Sequence, residues 1–259
     1  MILLTGSKGF IGSNFLSALK NDVVEVDFED CFDIFKRPNF FQNLDMILHQ
    51  GAISSTVETD LRKIIKFNLD FSLELLSAAI KYEIPVKYAS SASVYGNLHP
   101  RMNPLNLYAN SKLLIDYFVE ENLNNFKFIQ GFRYFNVYGK GEEVKANQAS
   151  PISKFSWEAQ RSGSIKIFEG SDNFFRDFIF VGDVVNVVLS NNLNSGIFDL
   201  GTSSPISFAK VAELVSRKYN ARVETIEFPN HLIGKYQNFT KANRFPFTYN
   251  FKTVEEYLK

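Results

Sequence analysis

Residues 1–14 read MILLTGSKGFIGSN, in which an apolar strand runs into three spaced glycines and then into a helix. Gly6 permits the tight turn, Gly9 lets the backbone approach a pyrophosphate, and Gly12 lets the helix pack closely on the strand. The first amides of that helix would then face the phosphates. With a strand before it and a helix after it, the pattern predicts a dinucleotide-binding cradle.

A second apolar strand, residues 23–26, ends at Asp27, about where a carboxylate accepts hydrogen bonds from an adenosine ribose. Glu29 follows it and would repel a 2′-phosphate, which favours NAD over NADP. Lys36 and Arg37 are close enough in sequence to reverse that preference. A second interpretation is that the acids only solvate a turn. The sequence thus predicts NADP or NAD as the cofactor and leaves the choice between them open.

Apolar strands then alternate with helical stretches, which predicts an α/β fold: a Rossmann-type doubly wound parallel sheet with a smaller α+β substrate-binding domain. Further strands are expected at residues 45–49, 85–90, 127–136 and 195–202. A long helix is expected over residues 61–82, and the side chains expected inward are Ile64, Ile65, Leu69, Leu73 and Leu76. The Rossmann domain would comprise residues 1–140 and 174–202, and the smaller domain 141–173 and 203–259.

One edge of the predicted sheet is reduced. Residues 28–44 form only a short Phe-rich segment, where a full six-strand Rossmann sheet would place a helix and a third strand. We therefore expect no additional strand between the strand that ends at Asp27 and the one that starts at Asp45.

Composition limits the classes of partner. The 259 residues include 28 basic and 28 acidic side chains, so no polybasic face is expected, and nucleic acid and anionic membrane are poor candidates. A single cysteine, Cys31, excludes an internal disulfide and suits a reducing cytosol. No apolar stretch approaches the roughly 20 residues that span a bilayer, and the first residues form the cradle strand rather than a signal peptide. We expect a soluble, cytoplasmic protein.

Polar and small residues follow the ends of several predicted strands, where parallel sheets bind their ligands. One strand runs into the turn Gln50, Gly51, Ala52, Ile53 and Ser54. Ser91 closes the next strand, and Asn136 and Val137 close the one after it. Asn68, inside the long helix, is expected to reach the cofactor side. These clusters predict a ligand site along one edge of the sheet.

Tyr108 is the only tyrosine of the chain with a lysine, Lys112, four residues later. On a helix these positions share one face, so the ammonium can lie beside the phenol and favour its ionised form. A phenol with a reference pKa of about 10 then becomes a usable base for oxidising an alcohol. The alternative is a packed tyrosine beside a solvated lysine, and the glycine cradle favours the catalytic interpretation.

Other chemistries find little support. The histidines His49, His99 and His231 are scattered without the spacing of metal ligands, so no metal site is expected. The chain also lacks a Gly-x-Ser-x-Gly elbow for nucleophilic hydrolysis. His49 lies inside a predicted strand and is expected to be packed.

The glycine turn, the Ser91 strand end and the Tyr108/Lys112 pair together resemble the extended short-chain dehydrogenase/reductase family, in its nucleotide-sugar epimerase group. The resemblance runs nearly end to end and is strongest to the ADP-heptose 6-epimerases. The stretches that carry this narrower likeness are residues 50–56, 104–112, 131–139, 168–171, 173–184 and 228–240.

That resemblance implies roles for the catalytic residues. Tyr108 would be one acid/base, Lys112 would hold the nicotinamide ribose, and Ser91 would hydrogen-bond the reacting sugar oxygen. Lys145 would be the second base. The reaction implied is inversion of a sugar carbinol by oxidation and re-reduction, most closely ADP-D-glycero-D-manno-heptose to its L-glycero epimer. One NADP or NAD per subunit would be retained through turnover, in a homo-oligomer.

The resemblance also implies binding residues. Those for the cofactor are Gly6, Gly9, Phe10, Ile11, Gly12, Asp27, Phe28, Gln50, Gly51, Ala52, Ile53, Ser54, Asn68, Lys112 and Val137. Those for the sugar-nucleotide substrate are Ser91, Asn136, Asn147, Lys154, Phe168, Glu169, Gly170, Ser171, Arg176 and Tyr236. Arginine suits a diphosphate because its fork meets phosphate oxygens in a bidentate way. Alternatively, Arg176 closes an ion pair with Asp177 or Asp183, and Phe168 and Tyr236 are core aromatics.

Three rival functions stay open. A UDP-hexose 4-epimerase would share the cradle, Ser91 and the Tyr108/Lys112 pair. A 4,6-dehydratase would call for an Asp-Glu pair after the serine, where this chain has Ala92 and Ser93. A non-catalytic NAD(P)-binding regulator is a rival of another class, since this fold hosts many functions. The intact Tyr108, Lys112 and Ser91 favour turnover.

Overall fold

The computed structural model describes residues 1–20, 22–229 and 237–259. The strands in these ranges are β1 (Ile2–Thr5), β2 (Val23–Val26), β3 (Met46–His49), β4 (Val86–Ser91), β5 (Ile129–Tyr134), β6 (Asn136–Tyr138), β7 (Ser164–Phe168), β8 (Phe175–Arg176), β9 (Phe178–Phe180), β10 (Gly196–Leu200), β11 (Ile206–Ser207) and β12 (Arg222–Ile226). The α-helices are α1 (Phe10–Ala18), α2 (Leu61–Ile64), α3 (Phe71–Lys81), α4 (Leu107–Glu121), α5 (Pro151–Ser162), α6 (Val181–Ser190), α7 (Phe208–Tyr219) and α8 (Val254–Leu258). No helix in these ranges is both long enough and apolar enough to cross a membrane.

A parallel sheet forms the centre of the larger domain. In the described ranges it has six strands in the order β2-β1-β3-β4-β5-β10, and every neighbouring pair is parallel. The predicted Rossmann-type architecture is confirmed. Between β2 and β3 the chain forms only two short 3-10 helices, Cys31–Lys36 and Phe41–Asn43, so β2 is the edge strand, as the short Phe-rich segment led us to expect.

Two apolar cores cover the two faces of this sheet. Leu3 of β1 packs in one core, which also contains Leu75 of α3. Its chain neighbour Leu4 packs in the other, which also contains Phe15 of α1 and Val184 of α6. Successive side chains of a strand point to opposite faces, and a parallel strand covered on both faces buries both sets. The run of apolar residues in β1 therefore reflects a doubly wound sheet.

The long helix predicted over residues 61–82 contains a π-helical segment, Ile65–Asp70, between α2 and α3. A π turn inserts one extra residue, which rotates every later side chain relative to a regular α-helix. Ile65 is 39% exposed, so its predicted inward orientation is wrong, whereas Phe71 and Leu75 are buried. The same segment turns Asn68 into the protein interior.

The smaller domain has its own core. Helices α5 and α7 pack on strands β7 and β12, which pair in parallel, and the fully buried side chains between them include Ile152, Ile165 and Val211. The extent of this domain, residues 203–259, stays a prediction, although part of that range packs on the large sheet. Phe245 packs among Phe132 and other residues of the large sheet, because the chain after β12 returns across that sheet.

Candidate active site

A cavity of about 1120 Å³ opens at the carboxyl ends of the parallel strands. Its walls on one side follow β1, β3, β4 and β5, and on the other they come from α5, β8 and the start of α7. Ligands of open parallel sheets bind in this crevice, because the loops beyond the strand ends converge there. The cavity therefore lies where the sequence placed a ligand site.

Most of the predicted site residues line this cavity. They are Gly6, Gly9, Phe10, Ile11, Gly12, Asp27, Phe28, Gln50, Gly51, Ala52, Ser54, Ser91, Tyr108, Lys112, Asn136, Val137, Lys145, Asn147, Lys154 and Arg176. Six others do not line it, namely Ile53, Asn68, Phe168, Glu169, Gly170 and Ser171. Tyr236 lies outside the described residues.

The glycine turn leaves no space for side chains. A Cβ on Gly12 would lie 1.9 Å from the carbonyl oxygen of Gly6, and one on Gly6 would lie 2.5 Å from Cα of Gly51. Gly6 also has a positive φ of 73°, which L side chains rarely adopt. Bare backbone therefore faces the cavity at the start of α1, and this cradle fits a pyrophosphate.

Asp27 is held at the end of β2. Its Oδ2 accepts hydrogen bonds from the Lys8 amide at 2.9 Å and from the Ser7 hydroxyl at 3.2 Å. Lys8 also pairs with Glu29 at 3.1 Å, whereas Lys36 pairs with Asp33 away from the cavity. This wall therefore carries two carboxylates, and its one lysine is already paired with a carboxylate. Such a wall would repel a 2′-phosphate.

Asn68 and Ile53 support the cavity wall from behind, and neither lines the cavity. Oδ1 of Asn68 accepts the Ile53 amide at 2.8 Å, and its Nδ2 donates to the Ile53 carbonyl at 3.1 Å and to Ser111 Oγ at 3.0 Å. The side chain thus ties the turn after β3 to helix α4. The structure gives both residues a supporting position, and their contact with the cofactor stays a prediction.

Tyr108 and Lys112 occupy the first turns of α4, which begins where the side chain of Asn106 accepts the amide of Ala109 at 2.9 Å. Lys112 is 2% exposed, and its Nζ donates to the Ala89 carbonyl at 2.7 Å. Burial lowers the pKa of Lys112 to about 8.

The phenol of Tyr108 differs from expectation. Burial raises its pKa above the usual value, and a hydrogen bond with Ser91 acts in the opposite direction. The pKa of Tyr108 therefore moves in the direction opposite to the predicted lowering by Lys112, because burial disfavours the charged phenolate. A neutral phenol next to a serine hydroxyl is a proton donor, and it becomes a base only after it loses that proton.

Lys145 reaches the cavity from the segment that leads into the smaller domain. Its Nζ lies 3.7 Å from Oε1 of Glu142 and 5.6 Å from the centre of the Phe10 ring. Burial lowers the pKa of Lys145. Nearby, Lys154 donates its ammonium to the carbonyl of Asn147. Two lysines of the smaller domain thus face the cradle and α4 across one cavity.

Arg176 is held among backbone carbonyls and an aromatic ring. It donates to the carbonyls of Phe175, at 2.9 Å, and Gln237, and its guanidinium lies 5.5 Å from the centre of the Phe208 ring. The alternative of an ion pair is disfavoured, because other donors occupy the neighbouring carboxylates. Asp177 accepts hydrogen bonds from Thr202, Ser203 and Ala242, and Asp183 accepts them from Tyr249 and Lys252.

The predicted substrate residues 168–171 form a structural turn after β7, outside the cavity wall. Phe168 packs edge to face on Phe228 with ring centres 5.5 Å apart. Its carbonyl accepts the Ser171 hydroxyl at 2.6 Å, and the Glu169 amide bonds to the Ile226 carbonyl at 2.8 Å. Phe168 is therefore a packing aromatic in this structure.

The sequence analysis missed several residues that line the cavity. The Tyr134 hydroxyl donates to Gln50 Oε1 at 2.9 Å, while Gln50 Nε2 is buried without a partner among the described residues. Thr240 donates to Asn136 Oδ1 at 3.0 Å. The position of Tyr134 at the end of β5 was a usable signal, because strand ends converge on the site. Thr240 ends the stretch 228–240 that carries the family likeness, but no local pattern predicted that its side chain would reach the cavity.

Comparison with known proteins agrees with this geometry. Residues 2–191 match the model of the NAD dependent epimerase/dehydratase family. Helicobacter pylori ADP-L-glycero-D-manno-heptose-6-epimerase is 27% identical with a TM-score of 0.83, over 99% of this chain and 93% of that one. Thermotoga maritima UDP-glucose 4-epimerase is 21% identical with a TM-score of 0.81, over 95% and 90%.

A third solved structure shares the same fold. UDP-N-acetylglucosamine 4-epimerase from Methanobrevibacter ruminantium is 20% identical with a TM-score of 0.80, over 93% of this chain and 88% of that one. The family match covers most of the chain and includes the glycine cradle, Tyr108 and Lys112. The predicted family is confirmed. The chain therefore belongs to the NAD dependent epimerase/dehydratase family, and it is an enzyme.

Proposed function

We propose that this enzyme inverts one carbinol of a sugar nucleotide by transient oxidation and re-reduction with bound NAD(P). One observation carries the proposal. Tyr108, from helix α4, and Lys145, from the segment leading to the smaller domain, line the same cavity as the glycine cradle. An epimerase needs proton-transfer groups that can serve the reacting carbon in either configuration, and two such groups from different parts of the chain meet that need.

The cavity wall at the cradle supports the choice of cofactor. The backbone around Gly6 and Gly12 would hold the pyrophosphate, and Asp27 would accept hydrogen bonds from the adenosine ribose. The carboxylates of Asp27 and Glu29 favour NAD over NADP. When bound, the nicotinamide supplies a hydride acceptor that later returns the hydride to the sugar.

The proton chemistry belongs to the chain itself. The raised pKa of Tyr108 suits a phenol that donates a proton to the sugar oxygen during re-reduction, with Ser91 beside it. The lowered pKa of Lys145 suits an amine that accepts the hydroxyl proton during oxidation. When the opposite epimer is the substrate, Tyr108 would accept the proton and Lys145 would donate it. Lys112, held by Ala89, would fix the ribose next to the phenol.

We further propose ADP-D-glycero-D-manno-heptose as the substrate and its L-glycero epimer as the product. The likeness to the Helicobacter pylori heptose epimerase supports this choice, since it covers nearly all of both chains. Arg176 and Lys154 line the cavity and supply cations for a diphosphate. UDP-hexose epimerisation at C4 is the second candidate, because the Thermotoga maritima structure has nearly the same TM-score.

The test uses the purified enzyme with bound NAD. ADP-D-glycero-D-manno-heptose, UDP-glucose and UDP-N-acetylglucosamine are incubated separately, and inversion of one carbon is followed by proton NMR. We expect inversion of the heptose and loss of that activity in Tyr108→Phe. Inversion of a UDP-hexose instead would reassign the substrate. A Tyr108→Phe variant with unchanged turnover would overturn the proposal. Sedimentation velocity of the same preparation tests the predicted homo-oligomer.

A further inference from the structure

A buried carboxylate lies behind the proposed second base. Glu142 is 0% exposed and starts the 3-10 segment Glu142–Gln148, in which Lys145 lies one turn later. Charged groups are almost never fully buried unless they are paired, so this carboxylate requires partners. The inference drawn from it rests on the proposed role of Lys145.

The partners of Glu142 lie at the first turn of helix α5. Its Oε1 accepts the amide of Ser150 at 2.5 Å, and its Oε2 accepts the hydroxyls of Ser150 at 2.8 Å and Ser153 at 2.6 Å. A helix N-terminus favours a negative charge, and bonds to both oxygens hold the carboxyl plane in one orientation. The only cation paired with it among the described residues is Lys145, whose Nζ lies 3.7 Å from Oε1.

The backbone next to Lys145 is also constrained. Ala146 has φ of 45° and ψ of −118°, a conformation that side chains other than glycine rarely adopt. Such a conformation persists only when the surroundings impose it. Glu142 anchors the segment on one side of Ala146, and on the other side the Asn147 carbonyl accepts the ammonium of Lys154. Both anchors bond to residues at the start of α5, so the segment that carries Lys145 is tied to that helix on both sides of Ala146.

We propose that Glu142 is a positioning residue for Lys145, which it holds at the cavity wall in the one place from which the amine reaches the substrate. It does not line the cavity and therefore acts through the lysine. Without the carboxylate, the long side chain of Lys145 would be free to sample other rotamers.

Glu142 also affects the pKa of Lys145. Burial lowers the pKa of Lys145, Glu142 raises it, and the neighbouring Lys154 lowers it. Phe10, the aromatic group against the ammonium, adds a cation–π contact. Glu142 thereby opposes burial and keeps a protonated fraction of Lys145, which an amine that both accepts and returns a proton requires.

The test compares Glu142→Gln with Glu143→Gln. The first removes the buried charge and keeps the side-chain shape, and the second removes an exposed charge one residue away. Lysines are labelled by reductive ¹³C-methylation, the Lys145 signal is assigned with Lys145→Arg, and its pH titration is followed by NMR. We expect the midpoint of Lys145 to move to lower pH in Glu142→Gln and to stay in place in Glu143→Gln.

Kinetics provide the second measurement. We expect kcat of Glu142→Gln to fall by up to about 100-fold with KM nearly unchanged, because a misplaced base impairs the chemical step rather than binding. Glu142→Asp keeps the negative charge on a side chain that is one methylene shorter. It should therefore restore the titration midpoint of Lys145 more completely than it restores kcat. Circular dichroism melting identifies any variant that is unfolded, and in that case Ser153→Ala, which removes one anchor, replaces it.

Equal titration and kcat in Glu142→Gln and Glu143→Gln would overturn the inference. The titration needs no substrate, so it separates this inference from the proposed function. A shifted midpoint in a protein that epimerises no sugar nucleotide would remove the proposed function and leave the control of Lys145 by Glu142 in place.

Discussion

Nζ of Lys112 donates a 2.7 Å hydrogen bond to the carbonyl oxygen of Ala89, which joins helix α4 to strand β4 beneath the cavity. The bond uses one of the three donors of the ammonium and holds the lysine at the cavity wall, which Tyr108 also lines. Burial at this junction lowers the pKa of Lys112 to about 8. The lysine is therefore protonated at neutral pH but close to its titration range.

The first prediction concerns this lysine. A group with a pKa of about 8 loses its proton as pH rises through that value, so activity that needs the ammonium should fall on the alkaline side near pH 8. Lys112→Arg stays protonated at every accessible pH. In that variant we expect the alkaline decline to move to higher pH, whatever the height of the remaining rate, because the part that Lys112 causes is removed. Identical alkaline limbs in both proteins, measured as kcat/KM against pH, would contradict the role of Lys112.

The second prediction concerns the glycine cradle. In Gly12→Ala the new Cβ would lie 1.9 Å from the Gly6 carbonyl oxygen, so the turn must open. We expect weaker NAD binding, measured by isothermal titration calorimetry, and a lower Tm. Gly163→Ala is the control, because its Cβ would meet no atom within 4 Å although φ there is also positive at 67°. It should lower Tm slightly and leave NAD binding unchanged, and equal loss of binding in both variants would refute the argument.

The third prediction links His49 to acid stability. The ring is 1% exposed between Thr5 and Ser72, and burial lowers its pKa to about 3 from an ordinary value of 6.5. The folded pKa is depressed, so the stabilisation is complete above pH 6.5 and is lost as pH falls toward 3. Between pH 6.5 and 5, this proton uptake should cost the wild type about 1.6 kcal/mol that His49→Gln does not lose. Urea denaturation at both pH values measures the difference, and equal losses would exclude His49 as the cause.

The fourth prediction concerns a buried ion pair. Arg133 Nε donates to Asp116 Oδ2 at 2.8 Å, and the same carboxylate accepts the hydroxyls of Tyr88 and Ser90. Arg133→Met would leave the aspartate buried without its cation, at a cost of about 3–5 kcal/mol in unfolding free energy. Arg161→Met, at an exposed position, should change it by less than about 0.5 kcal/mol. Similar denaturation midpoints for the two variants would show that the pair does not stabilise the fold.

Much of the fold was readable from sequence periodicity. The apolar run of β1, the glycines after it and the alternation of strands with helices are local patterns, and they predicted the parallel sheet with helices on both faces. The reduced edge beside β2 was also predicted, because no strand pattern occurs in the Phe-rich segment. Periodicity failed at Ile65, because it directly follows the buried Ile64, and two successive residues of a helix point in different directions and do not both face the core.

Part of the candidate site was readable too. The glycines of the cradle lie within seven residues of one another, and Tyr108 and Lys112 lie one helical turn apart, so each group could be recognised from local spacing. Both groups line the cavity. Residues 168–171 were assigned to the site by resemblance, and the structure turns them into a packed corner beside Phe228. The sequence does not show whether a turn such as residues 168–171 faces the cavity or packs away from it, because the direction of a turn depends on the elements packed against it.

Local patterns were enough to predict the parallel sheet, the dinucleotide cradle and the place of α4 in the site, because an apolar run, a glycine turn and a helix face each involve residues that are close in the chain. The state of the ionisable groups depended on the three-dimensional arrangement. Burial raises the pKa of Tyr108 and lowers that of Lys145, and Glu142, at the first turn of another helix, opposes the second shift. Desolvation and charge pairing depend on distances through space, which local sequence patterns do not encode.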